Sequence, residues 1–107
     1  MNDVRVCDMA LRLYKNFAPI FREGQVGGGY ALRRSDSYVM ASGAQYMLEL
    51  VTPESELGWA SLEYAEALAD LYESDWISVL DSERLLSAIS DIESTCASLS
   101  RPVAEGF

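Results

Sequence analysis

The side chains that could carry chemistry here are nearly all carboxylates, and most of them lie in one stretch. Ser35 to Glu83 contains no Lys, Arg or His but eleven acids: Asp36, Glu49, Glu54, Glu56, Glu63, Glu66, Asp70, Glu73, Asp75, Asp81 and Glu83. Glu63, Glu66, Asp70 and Glu73 follow the three-four-three spacing that puts side chains on one face of a helix. Such a row could work as acid/base pairs, hold a divalent cation, or meet the positive charges of a partner. Acid/base work needs carboxylates whose environments drive their pKa values apart, and an exposed row does not provide that. A cation needs ligands that converge; a helical row diverges, and no Asp-x-Asp-x-Asp-Gly loop is present. With no histidine in the chain, the usual general base and the Ser–His and Cys–His nucleophile pairs are missing as well. The sequence points away from an enzyme and calls for no cofactor or metal.

That leaves a partner. Like charges at helical spacing oppose a helix by a few tenths of a kcal/mol per pair, and a solvated face selected for stability alone would intersperse Lys or Arg. The row is therefore expected to be a docking surface for a basic protein, with Glu54, Glu56 and Asp75 flanking Glu63, Glu66, Asp70 and Glu73. A plain solvated face is the competing account. Carboxylates about 5–6 Å apart repeat on the scale of phosphates along a DNA strand. Such a surface can engage a groove of Lys and Arg and exclude nucleic acid from it.

Composition sets the frame. The chain has 107 residues, half of them hydrophobic, and a net charge of -9, which fits one globular domain with one modest core. Residues 1–34 hold six bases and three acids, so the charge is segregated. A chain this acidic is not expected to bind nucleic acid or an anionic membrane directly. Cys7 and Cys96 belong to no Cys-x-x-Cys pair and fall on apolar helix positions. They are expected to be reduced core thiols of a cytoplasmic protein; a disulfide between the first and last helices is the alternative and needs an oxidising compartment. Asp3, Arg5, Asp8 and Arg12 interrupt every early apolar run, and nothing reads as a signal peptide or a membrane span.

The elements that must position the acids follow from periodicity. A first helix is capped by Asn2 or Asp3 and ended by Pro19, with Val4, Cys7, Leu11, Tyr14 and Ala18 as its stripe. Gly24 and Gly27–Gly29 resemble a phosphate loop only superficially, because no Gly-Lys-Ser/Thr follows. They are read as a connection. Tyr30–Arg34, Ser37–Ser42 and Gln45–Val51 predict a three-stranded antiparallel meander, with Ser35-Asp36 and Gly43-Ala44 as its turns. Thr52 caps the acidic helix with Pro53 at its first position, and the strongest helical pattern runs from Ala60 to Ser74. Leu57, Tyr64, Leu68 and Leu71 face its core side. Trp76, Ile77, Val79 and Leu80 favour a helical turn over a short buried strand. Asp81-Ser82-Glu83 then opens a last helix striped by Leu85, Ile89, Ile92, Cys96 and Leu99, and residues 99–107 are expected to form a flexible tail. The fold expected is α+β: an N-terminal helix, a three-stranded antiparallel sheet, and two or three C-terminal helices packed on one face.

In that order of elements the chain resembles small phage anti-CRISPR proteins, in particular the acidic DNA mimics that inhibit the type I-F surveillance complex. The local match is Asp36-Ser37-Tyr38-Val39 followed by Ser42-Gly43-Ala44-Gln45-Tyr46, then an acid-dense helix, then Ser82-Glu83-Arg84-Leu85-Leu86. The resemblance implies an inhibitor in the bacterial host cytoplasm that blocks target DNA by occupying the basic channel of a Cas effector. Arg33-Arg34, the bases of the first helix, the Ser-rich last helix and the Pro-containing tail depart from the family pattern. The alternative is an intracellular interaction module, such as an antitoxin or phage-host adaptor, anchored by Trp59, Trp76 and Tyr72. For those three aromatics, core packing is the plainer expectation.

Overall fold

Four helices, not a helix-covered sheet, make up the structure. The computed structural model describes residues 3–72 and 74–99. Its elements are α1 (Asp3–Val26), β1 (Tyr30–Ala31), α2 (Arg34–Leu50), α3 (Glu56–Ala69), β2 (Trp76–Ile77) and α4 (Val79–Leu99). Each helix packs on two neighbours, α1 on α2 and α4, α3 on α2 and α4. Neighbours run antiparallel: Cys7 of α1 is bonded to Cys96 of α4, while Gly24 at the other end of α1 lies against Ser82 at the start of α4. The result is an up-down-up-down arrangement of the kind short connections favour. Phe21, Met47, Leu57, Leu68, Ile77, Leu85 and Ile92 form the fully buried centre.

The expected meander is overturned, and the reason lies in the burial pattern of residues 37–51. Ser37, Met40, Ala41, Ala44 and Met47 are the buried positions of α2, a three-one-three-three spacing that belongs to a helix stripe. The apparent alternation over Tyr38–Ala41 is a fragment of that stripe. Gly43, expected in a tight turn, sits inside the helix, where a Cβ would meet Leu13 at an ordinary 3.6 Å. An alanine would fit there, and would favour the helix by about 1 kcal/mol. The only strands among the described residues are two residues long, paired antiparallel with Tyr30 opposite Ile77 and Ala31 opposite Trp76. The fold is therefore essentially all-α.

Helix boundaries move for similar reasons. Pro19 lies within α1 rather than ending it, because Phe21, one turn beyond Ala18, continues the stripe and is completely buried. The helix instead ends at Val26 and is closed by Gly28, whose φ of 75° is the left-handed conformation glycine adopts without steric cost. The Gly29 amide donates to the Gly24 carbonyl at 2.9 Å, the six-to-one closure of a Schellman end. The cap of α3 is Ser55, not Thr52: its hydroxyl accepts from the Gly58 amide at 2.9 Å and donates to the Thr52 carbonyl at 2.7 Å. That carbonyl would lie 2.6 Å from a Cβ on Gly58, so glycine at this position permits the turn. Trp76-Ile77 is the strand, not a helical turn, and α4 begins earlier than Asp81. Ser78 and Asp81 close a reciprocal capping box there, the Asp81 amide donating to Ser78 Oγ at 3.0 Å and the Ser78 amide to Asp81 Oδ2 at 3.3 Å.

Cys7 and Cys96 form a disulfide across a sequence separation of 89, with Cα atoms 5.7 Å apart. Reduced core thiols were the expectation. The apolar stripes that placed both residues in the core also bring them to the same level of the antiparallel α1–α4 pair. No helix among the described residues is long and apolar enough to cross a membrane. Residues 100–107 of the expected tail lie outside the described residues.

Candidate docking face

The acidic row survives the change of fold, because it depends only on α3 being a helix. Glu56, Glu63 and Glu66 are exposed on one side of α3, while Leu57, Tyr64 and Leu68 are buried on the other. Asp70 follows as the C-cap residue. From Glu56 to Asp70 the row rises about 20 Å at 1.5 Å per residue. Glu73 lies outside the described residues. Glu54 is exposed in the turn before the helix, held at a φ of 64°. Asp75 is exposed beyond the end of α3, where its carbonyl accepts from the Leu32 amide at 2.8 Å. Those two acids flank the row along the chain and are not part of the helix face.

Two features of this face were not legible in the acid pattern. The first is Arg84 of α4, which donates to Asp70 Oδ2 at 2.7 Å. The stretch without bases is thus partly neutralised by the first base that follows it, and the full negative charge rests on Glu56, Glu63 and Glu66. The second is Trp59. It is three residues after Glu56 and four before Glu63, so it sits within the carboxylate row, and it is 60% exposed. Trp76 is 50% and Tyr72 48% exposed, so core packing, the plainer expectation for all three aromatics, does not hold.

Beside the row runs the seam between α2 and α3. A groove there has Ala41 and Ala69 in its lining, with Tyr46 and Tyr72 as aromatic walls and Gln45 and Glu49 at the rim. At its end the rings of Tyr38 and Tyr72 pack with centroids 5.4 Å apart. Farther along the seam, Leu48 and Leu62 line a second depression together with Trp59 and Glu54. Tyr38 and Tyr46 are each more than half exposed. A strand reading of residues 37–51 places them on sheet faces and hides that they share one helix face. Once those residues are helical, Tyr38, Ser42, Tyr46 and Glu49 necessarily lie opposite the buried Ser37–Met40–Ala44–Met47 stripe.

The opposite seam, between α1 and α4, differs in chemistry. Its groove is lined by the disulfide, Leu11 and Ile89, with Asp8, Arg22 and Glu93 mixing both signs of charge. Inside the bundle Tyr14 and Tyr64 pack edge to face at 4.4 Å, and the Tyr14 hydroxyl approaches Met47 Sδ at 3.7 Å. Burial pushes both phenols well above the usual tyrosine range, and for Tyr64 the neighbouring Tyr14 adds to the effect. These are structural tyrosines. Among the described residues no three His, Cys, Asp or Glu side chains gather as a metal site. No protein-family model matches the chain, and neither a curated protein nor a solved structure shows significant similarity to it.

Proposed function

We propose that the chain is a non-enzymatic binding module that docks on a basic protein surface through the outer face of α3. The observation that carries this is the placement of Trp59, 60% exposed, inside a row of exposed carboxylates. A large apolar ring left in water within an acidic face has a ready use: guanidinium and ammonium groups stack on indole faces and pair with carboxylates. Each Lys or Arg of a partner can then meet a ring, an acid or both.

The partner class suggested by the anti-CRISPR resemblance is the DNA channel of a Cas effector, which is lined with such bases. Carboxylate spacing on the phosphate scale supports that reading, and the resulting activity is competitive exclusion of target DNA. The element order does not support it, since Asp36–Tyr46 lies in α2 and not in a hairpin. A cytoplasmic setting also requires the Cys7–Cys96 bond to persist in a reducing pool. Its burial, 3% exposure at each cysteine, limits access by attacking thiolates.

A type I-F surveillance complex, free of DNA, is the probe. Retention on the immobilised chain should weaken as salt rises through the physiological range, compete with target DNA, and disappear in Glu63→Lys/Glu66→Lys. Retention that survives the double reversal would falsify docking through this face. A second reading is favoured by the exposure of Trp76 and Tyr72 as well as Trp59: an interaction module held mainly by apolar contact, whose complex would be nearly indifferent to salt.

A further inference from the structure

We propose that the groove between α2 and α3 takes an amphipathic helix of a partner protein, its apolar stripe seated between Tyr46 and Tyr72 and its flanks carrying Lys or Arg. The inference rests on the chain being a binding module and names what it binds. Three observations select this occupant. The groove has small residues, Ala41 and Ala69, between aromatic walls, the relief into which a row of Leu-sized knobs fits. The seam from Tyr38 to Leu48 is about 15 Å long at helical rise, which is close to three turns. The rim is acidic, with Glu49 in the groove lining and Glu54 at the far depression. Glu66 stands one turn before Ala69.

The same charges argue against a second copy of this chain. Two α2–α3 faces brought together about a two-fold axis would set one acidic face, bearing Glu49, Glu54, Glu63 and Glu66, against another of the same sign. An added strand has little to pair with, because β1 and β2 are two residues each and already pair with one another. A helix with basic flanks satisfies shape and charge together.

A displayed library of random 16-residue peptides, selected on the intact chain at physiological salt, tests this directly. Enriched sequences should carry apolar residues at i, i+3 or i+4, and i+7, with Lys or Arg beside them. Their affinity should fall about tenfold or more in Tyr46→Ala, the loss expected at an aromatic anchor, and similarly in Ala69→Gln, which fills the floor. Both positions are exposed, so thermal unfolding of the variants should match the parent and exclude misfolding as the cause. Basic peptides without helical spacing, lost in Glu63→Lys/Glu66→Lys but not in Tyr46→Ala, would overturn the groove and leave acidic docking intact. Proline-rich sequences, or no enrichment, would overturn the helical occupant. Peptides indifferent to both sets of variants would overturn both proposals.

Discussion

The α1–α4 and α2–α3 seams lie on opposite sides of the same bundle, and they are built differently. Along α1 and α4 the exposed large hydrophobics, Val4, Val26, Leu80 and Leu99, sit in the first and last turns. One end of that seam is closed by the Cys7–Cys96 bond, and charges of both signs, Asp8, Arg22 and Glu93, line its groove. Along α2 and α3 the exposed hydrophobics, Tyr38, Val39, Tyr46 and Trp59, include mid-helix residues, and the charged side chains of the two helices are all acids except Arg34, one turn before Tyr38. Stability alone accounts for the first pattern. The second leaves apolar area in water and like charges side by side, so it is the side of the molecule that selection for a partner would shape.

The largest test of the contrast is covalent. Reducing Cys7–Cys96 opens a loop of 89 residues, which in the chain-entropy account lowers stability by about 4–5 kcal/mol. Urea unfolding with and without reductant measures it. An unchanged midpoint would mean that helix packing alone holds the α1–α4 side together, and the distinction between a clamped and an open seam would fail.

Truncation is the next test. Leu57→Ala removes a fully buried side chain and should cost about 2–5 kcal/mol. Trp59→Ala, two residues away and exposed, should cost under about 0.5 kcal/mol while weakening partner binding at least as much as any other single change on α3. A Trp59 variant as unstable as the Leu57 variant would make the indole a structural residue and remove the ground for calling the α3 face functional.

The buried tyrosines give a pH signature that belongs to the scaffold alone. Burial holds Tyr14 and Tyr64 protonated in the fold well above their ordinary value of 10.0, whereas the unfolded chain ionises near that value. A raised folded pKa contributes stability that is fully present below the unfolded pKa and is lost as pH rises beyond it. Stability should therefore be insensitive to these groups below about pH 9. Above pH 10 it should fall by up to about 1.4 kcal/mol per pH unit for each tyrosine. Tyr64→Phe should flatten that decline, and denaturant melts between pH 8 and 11 would read it.

What was legible in the sequence was whatever repeats at full helical length. The α1 and α4 stripes, the buried face of α3 and its acidic row all run over three turns or more, and periodicity found them. What failed was short or nonlocal. Tyr38–Ala41 is too brief to separate a period of 2 from one of 3.6, and Gly43 looked like a hairpin turn because its neighbour in α1 is thirty residues away in sequence. The Arg84–Asp70 pair needs the antiparallel order of helices before it can be drawn, and the Cys7–Cys96 bond, open in the sequence only as the alternative to reduced thiols, needs it before it can be chosen. Trp59 was visible but not its exposure, which depends on which side of α3 the other helices occupy.

The smallest effect sharpens the comparison most, because it separates stability from binding on one side chain. Arg84 and Asp70 are 42% and 66% exposed, and a pair so open to solvent contributes at most a few tenths of a kcal/mol. Arg84→Ala should thus leave the unfolding midpoint almost unmoved. It also frees the Asp70 carboxylate and removes a positive charge from the edge of the row. If α3 docks basic partners, association should become faster and tighter by about two- to fivefold at low salt, and the gain should vanish as salt screens it. A loss of affinity in Arg84→Ala would mean that the arginine itself contacts the partner, and the docking face would then have to be redrawn to include α4.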